Sequence, residues 1–142
     1  MSTLEHVNIT VPDIDEAIKF LKTVALDFQV RIDKKPPESI RWAHIGNNDY
    51  YFALQEPHLD SVAEEPKQTY KNYGVNHIGI VVEDLSVVED RLVEAGYKRG
   101  ISTPIEKYRK RLYFYDSFGF EWELIEYLSG KPSEKYLYEE LV

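Results

Sequence analysis

The sequence predicts an α+β fold built as two similar β-α-β-β-β halves. Three observations carry that prediction. Residues 4–11 (Leu-Glu-His-Val-Asn-Ile-Thr-Val) and 75–82 (Val-Asn-His-Ile-Gly-Ile-Val-Val) share a strand-type alternation with an early histidine. The 71-residue offset from His6 to His77 also pairs Asp13 with Asp84, Leu21 with Leu92 and Ala25 with Gly96, the mark of an internal repeat. Each repeated strand is followed by a helix signal and then by shorter extended segments.

In the first half, Pro12-Asp13 precedes an apolar stripe of Ile14, Ala17, Ile18, Leu21 and Ala25. Glu16 stands three residues after Asp13, a capping-box arrangement. Strands are expected over 28–32, 40–45 and 50–55, with Gly46-Asn47-Asn48-Asp49 as a hairpin turn. In the second half Asp84 is the candidate N-cap, Leu85, Val88, Leu92 and Ala95 make the stripe, and Gly96 suits the C-terminal cap. Strands are expected over 97–100, 109–115 and 120–127, with a turn at Asp116-Ser117-Phe118-Gly119.

The organisation expected is a single domain over 1–142. It comprises a first βαβββ module at 3–56, a polar linker at 57–73, a second module at 74–128 and a tail at 129–142. The tail holds Tyr136, Leu137, Tyr138 and Leu141 and can form a short helix. Apolar residues make up 43% of the chain, enough for a real core and too many for intrinsic disorder. The net charge of −8 repels nucleic acid and anionic membranes as main partners. The absence of cysteine removes disulfides, thiolate metal sites and cysteine nucleophiles, and fits a reducing cytoplasm. No signal segment opens the chain and no apolar run is long enough to cross a membrane.

Strand alternation sorts the side chains by face. His6, Asn8 and Thr10 share one face, as do His77, Gly79 and Val81, and Glu121, Glu123 and Ile125. A histidine from each half and a carboxylate can therefore meet on faces turned away from the helices. Trp42, His44, Phe114 and Trp122 are expected on the helix-facing side, and Arg41 is matched with Arg111. Arg109, Arg111, Tyr113 and Tyr115 share a face. It suits either an anion clamp or a basic strand offset by nearby acids.

The paired histidine strands and the run Tyr115-Asp116-Ser117-Phe118-Gly119-Phe120-Glu121-Trp122-Glu123-Leu124 resemble the vicinal oxygen chelate superfamily (glyoxalase I, bleomycin resistance proteins and extradiol dioxygenases). Ser117 stands where the family usually has proline. The resemblance implies two βαβββ modules curled into an open, barrel-like cup. It also implies a divalent metal (Fe, Mn, Ni, Co or Zn) on the inner wall, held here by His6, His77 and Glu123. The family's fourth ligand position falls on Ala53, with Gln55 two residues on along the same face.

Two histidines and one carboxylate suit oxygen chemistry or Lewis-acid chemistry on a chelating substrate. A glyoxalase-type isomerisation, which would want the missing glutamate, is demoted. The expected function is a metalloenzyme with oxygenase, lyase or isomerase chemistry on a small molecule. Glu123 and Gln55 are the catalytic candidates, and Asn8, Arg111 and Tyr113 the substrate-binding ones. The alternative is a metal-free protein of the same fold that sequesters a small aromatic or cationic compound. A third reading is a decayed site, to which Ala53 lends weight. A homodimer is expected, with the cup formed within one chain or between two.

Overall fold

The computed structural model describes residues 1–59 and 68–138. The middle of the predicted linker and Leu141 lie outside the described residues. The chain divides into two compact units, Met1–Gln68 and Thr69–Val142.

The first unit contains β1 (His6–Thr10), α1 (Ile14–Val24), β2 (Gln29–Lys34), β3 (Trp42–Gly46) and β4 (Tyr51–Gln55), in sheet order β1-β4-β3-β2. β1 pairs with β4 in parallel, and the other pairings are antiparallel. β1 and β2 are thus opposite edges of the sheet, so the helix joining them must cross one of its faces. Asp13 caps that helix by accepting from the Glu16 N–H at 3.3 Å. Caps of this kind are worth about 1 kcal/mol. The stripe Ile14, Ala17, Phe20, Leu21 and Val24 is buried, as are Ala43, Ile45, Phe52 and Leu54 on the sheet.

The second unit repeats the plan with β5 (His77–Val81), α2 (Leu85–Glu94), β6 (Lys98–Arg99), β7 (Arg109–Tyr115) and β8 (Glu121–Tyr127), in order β5-β8-β7-β6. Again the first pairing is parallel and the rest antiparallel. Asp84 caps α2, accepting from the Ser86 and Val87 N–H groups. Gly96 closes the helix in the left-handed region (φ +89°), which lets the Tyr97 N–H reach the Leu92 carbonyl at 3.0 Å. Leu85, Val88 and Leu92 are buried, with Ile80, Phe114, Trp122 and Leu124 buried on the sheet. A short α3 (Pro132–Lys135) follows β8. Each unit is the βαβββ module of the expected α+β fold. Among the described residues no helix is long and apolar enough to cross a membrane.

Two sequence readings are corrected. Strand β6 is two residues rather than four. The chain leaves the sheet after Gly100, whose N–H still reaches the Tyr113 carbonyl at 2.7 Å, and carries Glu106 to β7. The second correction concerns β3. Register pairs Trp42 with Gln55 and His44 with Ala53, whereas Ala43 and Ile45 pair with Leu54 and Phe52 of the core. Trp42 and His44 therefore share the open face with Asn8, and Arg41 lies on the helix side, bonded to Asp33 and Asp15. The matching of Arg41 with Arg111 was one residue out, and a one-residue slip exchanges the faces of a strand. Trp42 is the counterpart of Arg111, since Gln55 and Ile125 are their respective partners.

The β7–β8 turn rests on Asp116. Its Oδ1 accepts from the Phe118 and Phe120 N–H groups at 2.9 and 3.0 Å, and its Oδ2 from the Trp122 indole at 3.0 Å. Gly119 supplies the positive φ of +82°. Asp116→Ala removes three hydrogen bonds to a carboxylate and is expected to cost about 2–4 kcal/mol. Urea unfolding checks this, and a loss within about 0.5 kcal/mol, the usual scatter for surface changes, would refute the turn's role.

Candidate functional site

The open face of the second sheet concentrates charge around His77. Parallel pairing sets His77 opposite Glu121 and Gly79 opposite Glu123. The His77 Nε2 lies 3.1 Å from a Glu123 oxygen. Its Nδ1 lies 2.9 Å from the Tyr70 hydroxyl and 3.3 Å from Glu121 Oε1, and the Tyr70 hydroxyl donates to that same Glu121 oxygen. Tyr113 stands edge-on to the imidazole at 90°, with ring centres 5.4 Å apart.

Glu121 and Glu123 are only 6% and 9% exposed. Carboxylates so far out of water need partners. Beyond His77, Glu123 takes an Arg111 N–H at 3.3 Å. Arg111 and Arg109 in turn share Glu106, at 2.8 and 2.9 Å. Three carboxylates here face two guanidiniums, which leaves one negative charge in excess beside an imidazole nitrogen. Such a place attracts a cation.

Tyr70 sits in the left-handed region (φ +67°), which costs a bulky residue about 1–3 kcal/mol. Its N–H is tied to Asn76 Oδ1 at 2.8 Å, which fixes the loop against the start of β5. The hydrogen bond to Glu121, then burial, push the Tyr70 phenol up to about 12. It therefore stays a donor at neutral pH. Burial and the Glu123 charge raise the Tyr113 phenol as well.

The open face of the first unit carries rings instead. His6 stacks on Tyr51 (5.0 Å, 14°), Tyr51 meets His44 at 4.8 Å, and His44 meets Trp42 at 5.2 Å. The Arg31 guanidinium lies over Tyr51 at 5.1 Å. His6 Nδ1 contacts Glu5 Oε1 at 2.9 Å, and the Tyr51 hydroxyl donates to the same oxygen at 3.0 Å. These two bonds, that from His6 being the stronger, hold the Glu5 carboxyl below its ordinary value. Asn8 donates to Gln55 Oε1 at 3.2 Å and to the Ala53 carbonyl at 3.1 Å.

Of the expected site residues, His77, Glu123, Arg111 and Tyr113 come together in the second unit. Asn8 and Gln55 bond each other in the first unit, where His6 occupies the strand position that His77 occupies in the second. Arg111 is held by two carboxylates, Glu106 and Glu123. Within either unit, no three His, Asp or Glu side chains among the described residues are arranged around one metal position. The donor set still fits a divalent ion in part: the second unit offers an imidazole nitrogen and a carboxylate oxygen side by side. Sequence reasoning missed Tyr70 and Glu106, which lie in loops, and it placed Glu121 on the face of Glu123 without choosing it as a site residue. The pairing of His77 with residue 121 was the available signal for Glu121.

A family model for the Glyoxalase/Bleomycin resistance protein/Dioxygenase superfamily matches residues 3–124. The chain belongs to this superfamily. No curated protein sequence matches it. Among solved structures, a glyoxalase family protein from Bacillus cereus aligns with TM-score 0.74 at 18% identity, over 91% of this chain and 96% of that one. The fosfomycin resistance protein FosX from Mesorhizobium loti aligns with TM-score 0.68 at 19% identity, over 94% and 96%. A FosX variant from Listeria monocytogenes complexed with Mn(II) and 1S,2S-dihydroxypropylphosphonic acid aligns with TM-score 0.66 at 15% identity, over 95% of each chain. At these identities the likeness shows the glyoxalase fold.

Burial alone would raise the Glu106 carboxyl, but hydrogen bonds and charge from Arg109 and Arg111 outweigh it and hold the group below its ordinary value. A depressed folded-state value contributes stability that is present above the ordinary carboxylate range and lost as pH falls through the folded value. Glu106→Gln is therefore expected to cost about 1–3 kcal/mol at pH ~7. The gap to the unaltered protein should close in acid. Unfolding titrations at both ends check this, and a gap unchanged at pH ~3 would show the contact is not ionic.

Proposed function

We propose that this superfamily member is a metalloenzyme acting on a small molecule that presents two neighbouring oxygens. The single observation carrying the reading is His77 Nε2 standing 3.1 Å from Glu123 on the open sheet face, in a group with one negative charge in excess. His77 and Glu123 are the proposed ligands of a divalent ion, with His6 as the third from its equivalent strand position. When bound, such an ion supplies Lewis-acid stabilisation of negative charge on the substrate oxygens. The complex of the Listeria neighbour with Mn(II) and a dihydroxypropylphosphonic acid supports this kind of pairing on the same fold.

The protein's own groups have distinct tasks in this reading. Arg111 fixes the orientation of Glu123 by binding its other oxygen. Tyr113 walls off one edge of His77 and limits water there. Asn8 and Gln55 present an amide pair that orients substrate. Gln55 and Glu123 are the candidates for moving or holding a proton, and Glu123, the carboxylate of the two, is the one able to accept it.

A second reading is favoured by one observation, the row of rings from Trp42 to His6 on the open face of the first unit. Such a row suits sequestration of a flat aromatic or cationic compound without metal.

Metal analysis of untagged protein, followed by titration calorimetry with Mn²⁺ and Zn²⁺, separates the two. The metalloenzyme reading expects stoichiometric binding that weakens in acid, because imidazole ligands must be free of protons. Glu123→Ala should lower affinity by more than the ~10–100-fold typical of supporting residues. Ala53→Glu should raise it by adding a carboxylate at the superfamily's fourth ligand position, at a cost in stability because no arginine of the Arg111 kind stands beside it. Metal-free protein that binds aromatic cations equally well with and without added metal would favour sequestration instead.

A further inference from the structure

After β8 the chain turns back onto its own sheet. The Ser129 hydroxyl accepts the Lys131 N–H at 3.1 Å and donates to Glu134 Oε1 at 2.8 Å, which folds the chain into α3. The Lys135 and Tyr136 N–H groups close that turn on the Lys131 and Pro132 carbonyls. The Lys135 ammonium then stands between two rings, 4.7 Å from the centre of Tyr127 and 5.4 Å from that of Tyr136. Tyr136 meets Tyr127 edge-on, with ring centres 6.4 Å apart. Tyr138 lies over the Arg109 guanidinium at 5.6 Å.

Register shows which face these rings cover. Arg109 and Tyr127 are partners in the β7–β8 ladder. Tyr127 follows Glu121, Glu123 and Ile125 by strand alternation. Glu126 beside it reaches the other way, accepting from the Leu85 N–H that opens α2. Arg109 shares Glu106 with Arg111, which binds Glu123. The tail therefore covers the far end of the open face, ~13 Å along β8 from Glu123 at ~3.3 Å per residue. Between the two ends the face is apolar. Gly79 pairs with Glu123 and the exposed Val81 with Ile125. A Cβ on Gly79 would stand 3.2 Å from Ile125 Cδ1. Glycine thus lets Ile125 lie across β5, where the first unit has the polar pair Asn8 and Gln55.

We propose that the segment 131–138 is the end wall of a substrate site on this face, with Tyr136 and Tyr138 setting the length of molecule it accepts. The substrate class is a molecule with two neighbouring oxygens at one end and a short apolar body at the other. The place of the oxygens, beside His77 and Glu123, rests on the metalloenzyme reading. The body lies on Gly79, Val81 and Ile125, where it displaces water from apolar surface. Tyr136 and Tyr138 are 56% and 74% exposed, so the wall adds little to the core and its loss leaves the sheet intact.

The test measures the affinity of Zn²⁺-loaded protein for acetohydroxamate, hexanohydroxamate and decanohydroxamate, bidentate oxygen chelators that differ only in chain length. Affinity should rise up to ~4-fold for each methylene the face covers, and stop rising before decanohydroxamate. With Tyr136→Ala and Tyr138→Ala combined, and in a chain ending at Gly130, the rise should continue through decanohydroxamate while acetohydroxamate binds as before. If the shortened chain fails to fold, the double variant decides. Proton NMR of metal-free protein locates the wall independently: Tyr138→Leu should remove a ring-current shift from the Arg109 side chain. Arg109 signals indifferent to that change, or the same length profile with and without the two tyrosines, would overturn the wall while Zn²⁺ binding still upheld the metalloenzyme reading. Protein that binds no Zn²⁺ would overturn that reading and the substrate wall with it.

Discussion

The register of the parallel pair β5–β8 is the constraint on which the second unit depends. It sets Trp122 and Leu124 toward the helix and Glu121 and Glu123 toward the open face. A slip of one residue would drive both carboxylates into the layer of Ile80, Phe114 and Leu92 and expose the indole. Two buried, unpaired carboxylates would cost more than a small domain has to spare. The core therefore enforces the site: the apolar alternation that folds the sheet also aims the acids at His77. The same pairing sense in β1–β4 aims Tyr51 and Ala53 at the face of His6.

Close register alone would not keep two acids almost out of water. Their burial is tolerable because each has cationic or donor partners. Arg111 and Tyr113 serve Glu123, Tyr70 serves Glu121, and the single His77 N–H serves one of the two. Glu106 returns charge to Arg109 and Arg111, so the network closes on itself with one negative charge over. Removing a single member leaves a buried charge uncompensated, which is costlier than the bond it made. The loop carrying Glu106 is held to β7 by Thr103, which donates to the Arg111 carbonyl at 2.8 Å. A surface segment is thus part of the electrostatics of the sheet face.

Much of this was legible in the sequence, for identifiable reasons. Helix starts were readable because Asp13 and Asp84 are strong N-caps followed by apolar stripes. The repeat was readable because the histidine strands keep their alternation. The face of β3 was not. Matching Arg41 with Arg111 carried the repeat alignment into β3 without a shift, whereas Arg41 finds its carboxylates on the helix side, in Asp15 and Asp33. Only the pairing of His44 with Ala53 reveals the true register. Tyr70 and Glu106 were illegible because no periodicity runs through the loops that hold them. Tyr70 reaches the site only by a backbone conformation that sequence patterns do not announce.

The correction to β3 changes what Ala53 means. Read from sequence alone, alanine opposite a repeat glutamate looks like a lost ligand. In the fold, the positions flanking Glu123 on its open face belong to Arg111 and Tyr113, while those flanking Ala53 belong to Trp42 and His44. The carboxylate and its guanidinium are absent together from the first unit. A glutamate at position 53, 8% exposed in its present form, would stand without the arginine that makes Glu123 tolerable. The ring row from Trp42 to His6 fills that face instead, with Asn8 and Gln55 satisfying each other at its edge. The two halves thus share a scaffold and divide the chemistry. One sheet face carries nearly all the buried charge, and the other presents rings, amides and the histidines His6 and His44. Ala53 lies between Asn8 and His44 on that ring-lined face, and a decayed site is not needed to explain it.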